Sequence, residues 1–204
     1  MAILTLLAAL ASFAGCGMFA PRIDAVYDRV VELCEASKEL NTVFYGAGLP
    51  VIERGSEYAE LNHVYFDHPY AGYETVTQYA KFLTVTEIKE AAEKVYSRAY
   101  LEDVLYPMAF MGYAMEEGDD ESAIAVARYL EDDRWIYASE SATEYPVEMR
   151  IYDYSTMRIT SPSSRKAIYV TMDAYSPTGG EPTEARLRLV LEEDGKWYLD
   201  SFTG

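Results

Sequence analysis

The sequence is poor in the residues that most often catalyse reactions or bind metals. It contains only 2 Cys and 2 His among 204 residues, and no Gly-rich phosphate loop, Gly-x-Ser-x-Gly elbow or His-Glu-x-x-His motif. The two histidines, His63 and His68, are five residues apart, which places them on opposite faces of a continuous strand. We therefore expect no metal, no other cofactor and no enzymatic activity.

Basic residues are scarce as well. The chain has 17 Lys and Arg against 34 Asp and Glu, which gives a formal net charge of −17. A body of this charge is repelled by a phosphate backbone, so binding to nucleic acid through bulk charge is excluded. The same acidity favours a basic protein as a partner.

The N-terminus has no charge over residues 1–15. Its apolar run of about 13 residues is too short to span a membrane, which takes about 20, but it fits the hydrophobic region of a signal peptide. The residues that follow, Phe13-Ala14-Gly15-Cys16, resemble the bacterial lipobox, although that family usually has Leu in the first position. An uncleaved secretory signal, or a buried N-terminal helix with a chance cysteine, is the alternative.

The lipobox resemblance implies cleavage before Cys16 and attachment of a lipid to that residue. Residues 1–15 would then be a signal peptide, residues 16–21 a lipidated tether, and the location the outer face of the bacterial cytoplasmic membrane. Cys34 would then be the only cysteine that does not carry a lipid. Because it falls within an apolar helical pattern, we interpret it as a small core residue.

Residues 22–204 are predicted to form a single α+β domain, with a helical part over about 22–131 and a sheet part over about 134–204. No Pro-, Gly- or Ser-rich linker separates the two parts, and neither alone buries its apolar face. The pattern predicts N-terminal helices that pack on a C-terminal curved antiparallel sheet.

Spacing and capping signals place the helices. A first amphipathic helix is predicted over Asp24–Leu40, and two capping boxes, Thr75-x-x-Gln78 and Thr84-x-x-Glu87, predict two further helix starts. Pro107 is predicted to open an apolar segment that continues through Met115. The acidic residues 119–121 predict the start of a last helix, which continues to about Leu130.

Alternation of apolar and polar residues predicts strands in the last third of the chain. In the segment 184–192, for example, the Leu side chains share one face and the Arg side chains the other. The turns are predicted at Pro177–Pro182 and at Asp194-Gly195. The predicted strands cover residues 134–139, 147–160 with a break near Ser155, 166–175, 184–192 and 196–202.

The C-terminal segment 191–199 reads Leu-Glu-Glu-Asp-Gly-Lys-Trp-Tyr-Leu, a strand, a Gly-containing turn and a further strand. This pattern resembles the cystatin-like and NTF2-like α+β domains that are common in small bacterial lipoproteins. The middle of the chain, with Thr84-x-x-Glu87, Val95-Tyr96-Ser97 and Tyr100, is distantly similar to secreted inhibitors of cell-wall DL-endopeptidases. The resemblance implies an α+β fold and an inhibitory role, but function does not follow from the fold alone, because such folds host enzymes, binders and assembly proteins alike.

Tyrosine is unusually frequent, with 19 residues. Tyrosines suit recognition surfaces because a rigid apolar ring carries a polar tip, but they also fill half-buried strand positions. Tyr70 and Tyr73 are assigned to a loop, where packing gives no reason for them, so we predict that they form a binding surface.

These observations favour a lipid-anchored extracytoplasmic binding protein without catalytic activity. Its expected partner is a basic cell-envelope protein, for example a cell-wall hydrolase. Two alternatives stay open: a small-ligand or enzymatic pocket between the helices and the concave sheet, and a structural spacer of the envelope.

Overall fold

The structure is a computed structural model that describes residues 20–52, 56, 72–114, 124–143, 146–147 and 149–203. It contains helices and antiparallel sheets, which confirms the predicted α+β class. The described chain divides into two compact units. Unit 1 consists of residues 20–36, 95–97 and 150–203, and unit 2 of the remaining described residues between 37 and 149.

The bounds of the elements follow the chain from its first described residues. A 3₁₀ turn, Ile23–Ala25, precedes the first helix, and two π-helical turns, Leu101–Leu105 and Pro107–Met111, follow the third. The helices are α1 Tyr27–Phe44, α2 Val85–Ala92, α3 Arg98–Tyr100 and α4 Glu140–Thr143. The strands are β1 Tyr73–Thr75, β2 Tyr113–Ala114, β3 Ile124–Ala125, β4 Tyr129–Glu131, β5 Ile136–Ser139, β6 Ile151–Thr160, β7 Ala167–Tyr175, β8 Thr183–Leu191 and β9 Trp197–Leu199.

Unit 1 contains a four-stranded antiparallel meander with the order β6-β7-β8-β9. Its inward face is apolar because the strands alternate as predicted. Ile168 is paired with Leu189, and Val170 with Leu187, and all four side chains are buried. The strands predicted over 166–175 and 184–192 are thereby confirmed, as is the turn at Gly195, whose φ is +80°. Of the strand predicted over 196–202, only Trp197–Leu199 is a strand.

Strand β6 confirms the predicted interruption near Ser155. The register with β7 shifts between Asp153 and Arg158. The Asp153 side chain accepts the Ser155 backbone N–H at 3.0 Å, and the Thr156 hydroxyl accepts the Asp173 backbone N–H at 2.8 Å. Local side-chain acceptors thus replace ladder bonds in this bulge.

Helix α1 confirms the helix predicted over Asp24–Leu40, and it continues four residues further to Phe44. Its N-terminal part belongs to unit 1, where the residues at helical spacing are buried. The Arg29 guanidinium Nε donates to the Trp197 carbonyl oxygen at 3.0 Å and so ties this part to β9. The buried residues are Val26, Val30, Leu33 and Cys34.

Unit 2 contains a three-stranded antiparallel sheet with the order β1-β5-β4. All four residues of β5 are buried, because a strand lies on each side of it. Strands β2 and β3 form a separate two-stranded ribbon. Residues 22–131, predicted to be the helical part, therefore also contain strands β1 to β4.

Two of the predicted helices are wrong. Thr75 does not cap a helix, since it is the last residue of β1 and is paired with Tyr137 of β5. The helix predicted to reach Leu130 is replaced by strands, because Tyr129 and Leu130 are paired with Ala138 and Tyr137. In both places pairing with β5 overrides the local helix signal.

The apolar segment that Pro107 opens is shorter than predicted. Pro107 is the first residue of a π-helical turn and directly follows Tyr106, whose backbone is already helical. The turn ends at Met111 rather than Met115 because Gly112 adopts a φ of +65° and the chain enters β2.

The second capping box is confirmed. The Thr84 hydroxyl accepts the Glu87 backbone N–H at 3.1 Å at the start of α2. The Glu87 carboxylate reaches back to the Leu83 backbone N–H at 2.6 Å, one residue earlier than in the standard box. Two donors of the first turn are satisfied in this way.

The cap predicts a loss of stability on substitution. Thr84→Ala removes the acceptor for the Glu87 N–H, so we expect the free energy of unfolding to fall by about 1 kcal/mol in urea denaturation of the full chain. Thr86→Ala, an exposed change inside the same helix, is the control and should be neutral or slightly stabilising. Equal losses in the two variants would contradict the capping role.

Candidate functional site

Several residues singled out from the sequence lie outside the described residues. They are Cys16, His63, His68, Tyr70 and the acidic residues 119–121. Lipid attachment to Cys16 and a recognition role for Tyr70 therefore stay predictions.

Tyr73, the other residue predicted for the binding surface, lies in strand β1 and not in a loop. Its side chain is 7% exposed, and its hydroxyl donates to the Ala127 carbonyl oxygen at 2.6 Å. Burial raises the pKa of the Tyr73 hydroxyl, so it is a neutral donor at pH 7. Packing within unit 2 thus accounts for this tyrosine, and its assignment to a loop without a packing reason is wrong.

Cys34 is a fully buried free thiol of unit 1, as predicted for a core residue. It interacts electrostatically with Tyr152 and Tyr154 of the sheet. Burial is the main cause that raises the pKa of both tyrosines, and the Cys34 charge would raise it further. A thiol that neither solvent nor substrate reaches is a poor nucleophile.

Three tyrosines of the four-stranded sheet, Tyr152, Tyr154 and Tyr198, have structural partners, which favours a packing role for them. Their hydroxyls donate to acceptors within unit 1, and Tyr198 also lies under a guanidinium, with Arg29 5.5 Å from its ring centre. The acceptors are the Thr203 carbonyl for Tyr152, Glu35 at 2.7 Å for Tyr154, and Asp194 at 2.9 Å for Tyr198.

The negative charge is divided very unequally along the sequence. The ranges 37–94 and 98–149 contain 22 Asp and Glu and 8 Lys and Arg, a net charge of −14, and the rest of the chain contains 12 acidic and 9 basic residues, a net charge of −3. Half of those 22 acidic residues lie outside the described residues. Among the described residues, unit 2 has 11 acidic and 7 basic side chains and unit 1 has 12 and 9.

Unit 2 also has a groove of about 430 Å³, a volume in the range of small-molecule sites. Its floor is apolar and consists of the buried side chains of Val43, Leu49 and Phe82. Its rim is charged, because Lys81 forms an ion pair with Glu39 of α1 and Lys38 is the preceding residue of that helix. The remaining lining residues are Thr42, Gly48 and Pro50.

The charged groups of this groove are two lysines and one glutamate. Among the described residues that line it there is no His, Cys or Asp. An apolar floor beside two ammonium groups matches a small molecule with an apolar body and one anionic group. The Lys81 ammonium also lies 5.8 Å from the Phe82 ring centre, at the boundary of floor and rim.

Two consecutive residues of unit 2, Arg128 and Tyr129, fix the wall of the groove. Arg128 is 5% exposed, and its guanidinium donates to the carbonyl oxygens of Val43, at 2.7 Å from Nε, and Gly46. The Tyr129 hydroxyl donates to the same Val43 oxygen at 2.9 Å and accepts the Leu49 N–H at 3.1 Å. The end of α1 and the turn after it are thus held by side-chain donors.

Gly46 belongs to the same arrangement. A Cβ at this position would lie 2.8 Å from the Thr42 Cα, closer than real side chains approach backbone. Only glycine lets the chain return this closely to the last turn of the helix, where the Gly46 N–H donates to the Asn41 carbonyl at 2.9 Å.

Among the described residues no group of three or more His, Cys, Asp or Glu side chains is placed to hold a metal ion. No helix in the part of the chain that the structure describes is long and apolar enough to span a membrane.

Comparison with known proteins does not place the chain in a family. No family model matches the chain, and neither a curated protein nor a solved structure matches it.

The roles of Arg128 and Tyr129 were not predicted from the sequence, because both residues were placed in a helix. A signal for the correct structure was present, because Asp132 separates two segments rich in aromatic and branched residues. In the structure Asp132 forms the turn between β4 and β5, where its carboxylate accepts the Arg134 and Trp135 N–H groups at 2.8 and 2.9 Å. These hydrogen bonds, that of Arg134 foremost, lower the pKa of Asp132.

The role of Arg128 is testable by stability measurements. Arg128→Met keeps the apolar stem but leaves the Gly46 carbonyl without its charged donor, so we expect a loss of about 3 kcal/mol in the free energy of unfolding. Arg98→Met is the control, because Arg98 forms an exposed ion pair with Glu102 and its loss should cost about 0.5 kcal/mol or less. Similar losses in urea denaturation of both variants would contradict the role.

Proposed function

We propose that the protein is a lipid-anchored, non-catalytic binding protein on the outer face of the bacterial membrane, and that unit 2 recognises a basic cell-envelope protein. The observation that carries the proposal is the acidity of the sequence, with −14 of the net −17 in the ranges 37–94 and 98–149. A surface of one sign attracts an oppositely charged partner before contact and repels others.

The anchor part of the proposal rests on the sequence. The lipobox-like segment ends at Cys16, four residues before the first described residue, a distance of roughly 13 Å when extended. A lipid on Cys16 would therefore hold unit 1 near the membrane. Lipidation would supply the affinity that a short apolar leader does not.

The finer fold assignment is part of the same proposal. We propose that α1 and the meander β6 to β9 correspond to the helix and curved sheet of cystatin-like or NTF2-like domains. The support is one helix preceding four consecutive antiparallel strands, with the Asp194-Gly195 turn where the resemblance expects it. A basic cell-wall hydrolase is the partner that the resemblance to DL-endopeptidase inhibitors suggests.

The proposal predicts a salt-sensitive partner. The full chain, immobilised and exposed to envelope extract, should retain a basic protein at about 0.05 M salt and release it at about 0.5 M, because screening shortens the range of the attraction. Binding that is equal at both salt concentrations, or no retained partner at either, would overturn it.

Variants that neutralise acidic side chains identify the unit that recognises the partner. Glu131→Gln with Asp133→Asn removes two exposed charges from unit 2, and we expect a severalfold lower association rate with the captured partner. Glu181→Gln with Glu193→Gln removes two exposed charges from unit 1 and is the matched control. A larger effect of the control pair would place recognition in unit 1.

A second candidate function, binding of a small molecule, is favoured by the groove of unit 2. The apolar floor and the Lys81 rim suit an aromatic sulfonate, so anilinonaphthalene sulfonate is a suitable probe. We expect saturable binding by the folded chain, weakened severalfold by Lys81→Gln and unchanged by Lys94→Gln, an exposed lysine of unit 2 outside the lining. Equal binding by both variants would reject the groove as the site.

A further inference from the structure

The outward face of the four-stranded sheet in unit 1 has a distinctive arrangement of residues in two adjacent rows. In the first row Arg158 of β6 and Arg186 of β8 are both paired with Thr171 of β7, one on each side. In the second row Thr160 and Arg188 are likewise paired with Tyr169. Directly paired residues place their side chains on the same face, so these six side chains are neighbours.

These two rows contain three arginines and no acidic residue, in a chain with twice as many acidic as basic residues. The acidic side chains of this face begin in the next row, where Asp173 is paired with Glu184. Three guanidinium groups are thus confined to a small part of the sheet, and carboxylates contact two of them, Arg158 and Arg188.

The arginines are held in defined positions. The Arg186 guanidinium lies 4.3 Å from the centre of the Tyr169 ring and donates to the Ser161 carbonyl oxygen at 3.1 Å. Arg188 forms an ion pair with Asp200, whose side chain is buried. Ordered guanidinium groups lose less side-chain entropy when they bind an anion.

Arg158 already holds an oxyanion from the chain itself. Its guanidinium forms an ion pair with the carboxylate of Glu184. Because Arg158 is on β6 and Glu184 on β8, this ion pair passes over β7. Both side chains are about half exposed, so an external anion can reach the same guanidinium.

Two hydroxyl groups beneath this face have no partner. Thr171, which is 2% exposed, and Thr160 both have a side-chain oxygen that is buried and makes no hydrogen bond. A buried hydroxyl without a partner costs free energy. Both belong to the two arginine rows, where a hydroxyl can donate to an anion bound between the guanidinium groups.

We propose that this face, formed by Arg158, Thr160, Tyr169, Thr171, Arg186 and Arg188, binds a phosphate group. Arg158 and Arg186 lie on the two strands that flank β7, whose backbones are about 10 Å apart, and Thr171 lies on β7 between them. Donors from three directions match a tetrahedral oxyanion better than a planar carboxylate, and guanidinium forks bind phosphate oxygens two at a time. A soluble phosphate ester and a phospholipid headgroup both present this chemistry.

The test uses the full chain in neutral detergent micelles and follows the arginine Nε–H signals by NMR. Inorganic phosphate and glycerol phosphate form one arm, and micelles doped with phosphatidylglycerol or, as the control, phosphatidylcholine form the other. We expect the signals of Arg158 and Arg186 to shift in a saturable way while that of Arg98 in unit 2 stays. A response to the soluble anions supports a phosphate ester, and a response to phosphatidylglycerol alone supports a headgroup.

Substitutions make the test specific. Arg158→Gln should weaken binding about tenfold, because a charged hydrogen bond is lost. Glu184→Gln should strengthen it about threefold or more, since the internal carboxylate that competes for Arg158 is removed. Glu102→Gln, which neutralises the carboxylate of the exposed Arg98 ion pair, is the matched control and should change nothing.

Three results would overturn the proposal. They are an absence of saturable shifts in both arms, shifts of Arg98 equal to those of Arg158, and unchanged affinity in Glu184→Gln. Urea denaturation of each variant checks that the fold is retained, and Arg186→Lys, which keeps the charge but loses the fork, serves as a second variant.

Discussion

The Val43 carbonyl oxygen is the point on which the described part of unit 2 depends. It lies at the end of α1, where a helix leaves carbonyl groups without partners, and it accepts from both the Arg128 guanidinium and the Tyr129 hydroxyl. Strand β4 is fixed in turn, because Tyr73 binds the carbonyl of Ala127 and Tyr129 is paired with β5. One helix end thus sets the position of a strand, and through it the sheet and the groove wall.

The division of charge changes how the composition should be understood. A net charge of −17 suggests a uniformly acidic surface, but unit 1 is nearly balanced and its outward sheet face groups three arginines. The two units therefore offer different chemistry: unit 2 an apolar groove with a charged rim, and unit 1 a sheet face with three arginines. An average over the chain hides both, since electrostatic recognition depends on the local arrangement of charges.

The sequence predicted the elements that local patterns determine and missed those that distant pairing determines. The alternation around Leu187 and Leu189, the helical spacing of Val30 and Leu33 and the Thr84 cap all depend on near neighbours, and the structure confirms them. Tyr129 was assigned to a helix although the turn signal at Asp132 lies nearby, and Thr75 because nothing near it in sequence shows that it is paired with β5. The candidate sites were missed for the same reason: the groove and the arginine rows each join residues from separate segments.

The way unit 1 is assembled from the chain has a consequence for folding. Its residues come from three separate segments, and Leu199 of β9 accepts and donates backbone hydrogen bonds with Ser97 and Val95, about a hundred positions earlier. Nearly the whole chain must therefore be available before this unit closes, whereas the segments of unit 2 all precede residue 150. Contacts of such long sequence separation slow folding, and they leave the apolar residues of α1 exposed to chaperones and proteases in the interval.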